Sequence, residues 1–555
     1  MARPDELTFA PLGGVGEIGM NLSIYGLGNR QQRSFLAVDL GVSFGDEEHL
    51  PGIDLIMPDV RFLEKERNNL MGLVLTHAHE DHFGAIIDLW PKLGCKIYAT
   101  QFSAALFEAK CAAERNPPKI PITVIPSGGR VDIGPFNVEF IPVAHSIPES
   151  HALAIHTEVG TVLHTGDWKI DPTPVIGQPT DERRLRELGD EGVLALVGDS
   201  TNAVRDGRSP SETEVAATIK KLVKAAKGRV AVTTFASNVA RVRAVVDAAN
   251  AADREVVVVG RAMERVVQVA RECGYLDGSH KFRSTDYYGH FPADKVLALC
   301  TGSQGEPMAV LSRMANREHA IEIGEGDTVI LASSLIPGNE NSVFRVINGL
   351  MKLGATVVHK GMAKVHVSGH ASEGELLYCY NIVEPEFVMP VHGETRHLIA
   401  NGRIAEKTGV PAENVILAGN GTVVDMTDGL VKVVGEVDCG YVYVDGSSVG
   451  EISDSDLKDR RVLGEEGFIS IITVVNRQTG SIVSGPDIHA RGVAEDEKVF
   501  EEIKPKIVRA LEEAVQSSKD HTAHQLQQVV RRTVGTWVNR KLRRRPMIIP
   551  VVLEA

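Results

Sequence analysis

Aromatic side chains make up only 5% of the chain, with Trp at three positions, and no apolar run approaches the roughly 18 residues that a membrane helix needs. The N-terminal Met1-Ala2-Arg3-Pro4-Asp5-Glu6-Leu7 has no apolar signal region, so the expectation is a cytoplasmic protein with no membrane contact. Six cysteines (Cys95, Cys111, Cys273, Cys300, Cys379, Cys439) are scattered without a CxxC pair, which argues against a disulfide scaffold and against a thiolate zinc site. An excess of positive charge is also missing, since the formal net charge is −14. Polyanion binding draws on clustered Lys and Arg, so any nucleic-acid contact has to come from a local patch.

What is present is a long chain, 555 residues at 43% hydrophobic content, enough for about three or four domains. It turns on His77-Ala78-His79-Glu80-Asp81-His82, where three of the 19 histidines fall within six residues. The run Leu70 to Thr76 before it suits a buried strand, and the spacing after it predicts a helix over 81–93. On the outgoing strand His77 and His79 share a face, while the turn carries Asp81 and His82 to a neighbouring spot. That pattern suits two adjacent metal ions.

Short apolar strands are predicted through residue 199, with a second helix over 102–114. Three of these strands run into His145, Asp167 and Asp199, and Asp39 has the same placement. Strand ends are rigid mounts on one sheet edge, so His145 is expected as one further imidazole and Asp167 as a carboxylate between both metals. From about Ser209, strand-then-helix units follow in sequence, implying a parallel sheet covered by helices. At Val365 the first texture returns and the apolar Phe387 to Val391 closes on His392. If His392 completes the second metal's shell, the middle domain is an insertion inside the first. The organisation expected is 1–207 and 364–428 for the split first domain, 208–363 for the insert, 429–457 for a Gly, Ser and Asp-rich linker, and 458–555 for a small C-terminal domain. At the end of its second helix Arg540, Lys541, Arg543, Arg544 and Arg545 are either RNA contacts or a solvated helix end favoured by the helix dipole.

The cluster His77-x-His79-x-Asp81-His82, followed by His145, Asp167 and His392, resembles the metallo-β-lactamase superfamily. The insert, Asp199 before it and His370 in the returning segment look like its β-CASP nuclease branch. Pro11 to Gly19, Val365 to Ser372 and the separate C-terminal domain are similar to the bacterial ribonuclease J family. The resemblance implies an α/β fold: a metallo-β-lactamase αββα sandwich with an inserted β-CASP α/β domain and a small C-terminal α/β domain. It implies one zinc on His77, His79 and His145, another on Asp81, His82 and His392, and Asp167 bridging, with Asp81, Asp199 and His370 serving catalysis. Zn²⁺ suits these ligands, and Mn²⁺ accepts the same donors.

The family acts as a 5′-to-3′ exonuclease and endonuclease on single-stranded RNA in mRNA decay and rRNA maturation. It forms homodimers or tetramers and works with RNA-decay partners. The resemblance joins Ser237 and Asn238 to His366, Val367, Ser368, Gly369 and His370 in one pocket for the RNA 5′ phosphate, although Ser237-Asn238 also reads as a plain helix cap. It further suggests a structural Ca²⁺ near Leu50, Gly52 and Asp445. Three alternatives remain at this stage: a small-ester hydrolase, which has no need of the insert, a DNA nuclease, and an inactive RNA-binding scaffold.

Overall fold

The computed structural model describes residues 6–29, 32–45, 50–306, 308–335, 339–427, 431–446, 448–450, 452–476, 479, 481–517 and 522–555. The expected signal-free terminus, residues 1–5, and positions 429, 430, 447 and 451 of the expected linker lie outside them. Contacts divide the chain into one unit of Met1–Ser43 with Ile56–Tyr441 and another of Phe44–Leu55 with Val442–Ala555.

In the first unit two sheets face each other. One has eight strands in the order Lys432–Glu436, Thr422–Asp425, Glu6–Gly13, Leu22–Asn29, Gln32–Val38, Leu70–Val74, Ile97–Ala99 and Ile122–Val124. The other has six, in the order Arg130–Ile133, Phe136–Pro142, His151–His156, Thr161–His164, Ala195–Asp199 and Phe387–Val391. Phe9, Tyr25, Leu36 and Val74 from the first interleave with Phe140, Leu153, Val197 and Met389 from the second, forming the central core. The outer face of the six-stranded sheet is covered by helices through Leu185, Leu188, Leu376, Tyr380 and Ile404. Thr161–His164, Ala195–Asp199 and Phe387–Val391 are parallel neighbours, so their C-terminal ends open on one edge.

The helix expected over 81–93 is broken into Glu80–Phe83 and Ile86–Leu93. The cause is a contact remote in sequence: the Asp81 carbonyl, which would have accepted from Ala85, accepts instead from the Asn21 backbone at 2.9 Å and its side chain at 3.0 Å. Ala85 N–H goes to Leu40 O at 3.1 Å. The second helix spans Gln101–Cys111.

Between residues 230 and 358 lies a five-stranded parallel sheet, ordered Glu255–Val259, Val296–Cys300, Val230–Thr233, Thr328–Leu331 and Thr356–Val358. Its strands are nearly continuous apolar runs because helices cover both faces. The helix Glu212–Ala225 starts at a Ser211–Glu214 capping box and buries Val215, Ile219 and Val223 at four-residue spacing. A fully buried Arg241 ties this domain to its crossings. It holds both Glu212 carboxylate oxygens at 3.0 Å and donates to the carbonyls of Ala332 at 2.6 Å and Val365 at 2.9 Å.

The 429–457 stretch is not a bare linker. It carries the strands Lys432–Glu436, Tyr441–Asp445 and Ser448–Gly450, with Asp438, Gly440 and Gly446 in the turns between them. Nor is 364–370 a paired strand, although its burial alternates, with Val365, Val367 and Gly369 inward and His366, Ser368 and His370 outward. In the second unit Phe468–Val475 lies between Ile482–Arg491 and Met547–Glu554, with the helices Lys504–Ser517 and Ala523–Leu542 packed on one face. Lys541 pairs with Glu502 at 2.8 Å, as suits a solvated helix end. Among the described residues no helix is long and apolar enough to cross a membrane.

Arg241→Met would leave the Glu212 carboxylate buried without its partner. The expected loss is about 3–5 kcal/mol, and the Glu212→Gln, Arg241→Met double variant should lose less than the sum of the singles. Thermal unfolding of the four proteins checks this cycle.

Candidate metal centre

Seven side chains converge at the shared edge of the two sheets. The first set is His77 Nε2, His79 Nδ1, His145 Nε2 and Asp167 Oδ2, and the second is Asp81, His82 Nε2, His392 Nε2 and Asp167 Oδ1. In the first, the ligand atoms are spaced 3.1 Å (His77–His79), 3.0 Å (His79–His145) and 3.6 Å from Asp167 to both His77 and His145. In the second they are 3.3 Å (His82–Asp167), 3.4 Å (His392–Asp167), 3.7 Å (His82–Asp81) and 3.8 Å (His392–Asp81). A tetrahedral ion with ligands at about 2.0–2.2 Å puts them about 3.3–3.6 Å apart, which both sets approach. Asp167 Oδ1 is buried without a hydrogen bond, as a carboxylate oxygen reserved for a cation would be.

The outer nitrogen of several imidazoles is anchored. His82 Nδ1 meets Asp39 at 2.7 Å, His145 Nδ1 donates to Gly369 O at 2.7 Å, and His392 Nδ1 donates to Asn21 Oδ1 at 2.9 Å. These contacts fix tautomer and ring direction. Asp39 also accepts from the Thr76 backbone and hydroxyl, both at 2.8 Å, and Asp39 and His392 hold left-handed φ values of 62° and 51°. Gly369 is dictated by closeness, since a Cβ there would lie 2.5 Å from His145 Nδ1.

Burial, aided by neighbouring imidazoles, drives His77 and His79 well below the usual histidine range, leaving them neutral and ready to ligate. Burial also acts on His82 and His392, but the Asp167 charge outweighs it and raises both. Asp167 itself lies well below the carboxylate range because the surrounding imidazoles overcome burial. His370 Nδ1 meets Asp199 Oδ2 at 2.8 Å; burial opposes its protonation, yet Asp199 and Asp167 lift it to about 9. Asp167, Asp199, His370 and His392 also form a ligand-like group, but it shares two members with the second set and is not independent.

The phosphate-pocket residues are brought together only in part. Ser368 accepts from Asn202 Nδ2 at 2.7 Å, leaving its own proton free to donate, and Asn202 and Ser209 hold the His370 carbonyl. Val367 is buried beneath them. His366 Nδ1 is buried without a partner, and burial with Arg241, Lys360 and Arg205 drives its imidazole well below the usual range. Asn238 caps the helix Val239–Asn250 by accepting from Arg241 N–H at 2.9 Å, and Ser237 precedes it. Sequence reasoning missed Asn21, Asn202, Arg205 and Lys360, which carry no motif of their own. The repeated pairing of polar residues with strand ends was the available signal for Asn202, three residues past Asp199.

Two of the residues in the calcium expectation, Gly52 and Asp445, are neighbours. Near Leu50 and Gly52 the Asp445 carboxylate is paired with the Arg460 guanidinium, which also donates to Pro51 O at 3.3 Å. A Cβ on Gly52 would lie 3.0 Å from that guanidinium and 4.0 Å from Asp445 Oδ1.

Four family descriptions match the chain: "Metallo-beta-lactamase superfamily" over 51–261, "Ribonuclease J, beta-CASP domain" over 227–350, "Zn-dependent metallo-hydrolase RNA specificity domain" over 355–416 and "Ribonuclease J C-terminal domain" over 456–555. Ribonuclease J of Sinorhizobium meliloti is 44% identical over 99% of this chain and 97% of its own. The chain belongs to the ribonuclease J family. Ribonuclease J of Mycolicibacterium smegmatis is 45% identical over 99% of this chain and 98% of its own. A solved Enterococcus faecalis protein of unknown function matches in fold alone, at 17% identity and TM-score 0.53, over 76% of this chain and all of that one. The chain is therefore a metal-dependent RNA nuclease, and the small-ester, DNA and inactive-scaffold alternatives give way.

Asp167→Asn weakens both ligand sets, whereas His79→Ala touches one. Metal analysis after dialysis should find less metal in Asp167→Asn than in His79→Ala, with hydrolysis lost in both and the circular dichroism unchanged. Equal metal in Asp167→Asn and the unmodified protein would rule out a bridging carboxylate.

Proposed function

We propose that the chain is a zinc-dependent ribonuclease that degrades RNA from a 5′ monophosphate in the 5′-to-3′ direction and also cuts internally, serving mRNA decay and rRNA maturation. The donor set of two imidazole-rich groups bridged by Asp167 fits Zn²⁺. When bound, two such ions supply a nucleophile from water near neutral pH and offset charge on the scissile phosphate. His370, cationic beside Asp199, gives its proton to the 3′ oxygen as the phosphorus–oxygen bond breaks. The downstream fragment keeps a 5′ phosphate and is again a substrate.

The observation that carries end recognition is the orphaned His366 Nδ1 among Arg241, Lys360 and Arg205, two residues from the free Ser368 proton. An arriving phosphate brings the charge that lets this imidazole take a proton and donate. Ser237 and Asn238 complete the pocket from the helix start. Donors closed around one phosphate leave two further phosphates unpartnered, disfavouring triphosphate ends.

The C-terminal sheet supports a homodimer. Its face away from the helices exposes Ile472, Ile549 and Leu553, with Ile472 opposite Val551 and so between the other two on the adjacent strand. A second copy of this face would cover it, with tetramers as a further step and RNA-decay proteins as additional partners.

Under single-turnover conditions 5′-monophosphate RNA should be degraded faster than triphosphate RNA of the same sequence. His366→Ala with Ser368→Ala should slow that exonuclease action by about tenfold or more while internal cutting changes little. Equal rates for both ends in the unmodified enzyme would refute end recognition. Ile472→Lys with Leu553→Lys should halve the mass seen by light scattering, and an unchanged mass would refute the dimer face.

A further inference from the structure

A cavity of about 330 Å³ opens beside His145. Its walls are the loop from Pro142 to His151, the segment Ile125–Ser127, Gln101, Gln178 and Tyr275 of the inserted domain. The volume falls at the small end of the about 300–1,000 Å³ typical of ligand sites.

The walls are built rather than incidental. Glu149 holds a left-handed φ of 58°, and its carboxylate accepts from the Phe102 backbone N–H and the Tyr275 hydroxyl, both at 2.8 Å. Strained residues persist only where the surroundings hold them, and they gather at ligand sites. His151, which burial pushes down to about 4, spans from the Glu149 carbonyl to the Ser127 hydroxyl at 2.8 Å each. Between them Ser150 is 2% exposed, and its hydroxyl has no hydrogen-bond partner. A buried hydroxyl left open in an otherwise satisfied wall points to an absent ligand.

Charge narrows that ligand. The wall contains the Glu149 carboxylate and neither Lys nor Arg, so it repels a phosphate. Ile125, Pro126 and Pro148 offer flat apolar surface, while the amides of Gln101 and Gln178 offer paired donors and acceptors. Those are the requirements of a neutral, planar heterocycle with a hydrogen-bonding edge.

We propose that this cavity holds one nucleobase of the bound RNA, turned out of the strand beside the phosphate at the metal centre. His145 is both a wall of the cavity and a ligand of the first set, so base and scissile phosphate are held at a fixed separation. The proposal uses the family's RNA nuclease activity and does not depend on 5′-end recognition.

The test is a set of RNAs of one length in which a single abasic site is moved along the strand. For the unmodified enzyme, one position should lower kcat/KM by about fivefold or more, mainly through KM, with its neighbours affected less. Gln178→Trp, which fills the cavity from its exposed rim, should lower kcat/KM on intact RNA by a similar factor and lose sensitivity to that abasic site. A flat scan with the unmodified enzyme overturns the proposal, and so does a folded Gln178→Trp enzyme that stays as sensitive as the parent. The scan stands by itself if the variant does not fold.

Discussion

Asp167 sets the terms for everything around it. Its carboxylate is buried, one oxygen lacks a hydrogen bond, and four imidazole nitrogens lie within 3.6 Å of its two oxygens. Burying an ionised group without compensation costs several kcal/mol, so this arrangement is stable only with positive charge close by. Parallel strands meet the geometric demand, because Thr161–His164, Ala195–Asp199 and Phe387–Val391 end side by side and deliver Asp167, Asp199 and His392 to one place. Phe136–Pro142, two strands from Thr161–His164 and running in the same sense, brings His145 to the same edge, and Asn21 and Asp39 keep His392 and His82 aimed. The fold is thus a means of pointing imidazoles at one carboxylate.

The inserted domain is tied to this site by a buried arginine. Arg241 gathers the incoming helix, a strand end and the returning segment around a single guanidinium. The returning segment then passes His366, Ser368 and His370 along the cleft and props His145 through Gly369. The residues proposed for binding and for reaction are therefore mounted on one stretch of backbone.

Much of this was legible in the sequence because short apolar strands ending in His or Asp leave a strong pattern. His77, His79, Asp81, His82, His145, Asp167 and His392 all carry that signature. What stayed hidden depends on partners remote in sequence. Asn21 looks like any loop amide, yet it breaks the helix after Asp81 and orients His392. The Gly and Asp content of 429–457 suggested a linker because strand-edge turns and linkers share a composition. The pairing of Arg460 with Asp445, beside the residues of the calcium expectation, is likewise one that no local pattern reveals.

The Asn21–His392 hydrogen bond spans 371 positions, and the second ligand set stays open until His392 is supplied. In chain order the members of the first set are all present by residue 167, and those of the second only at residue 392. The chain cannot assemble both while the insert and the strand Phe387–Val391 are unmade. A centre of this composition is therefore a property of the chain through residue 392 and of no shorter stretch of it.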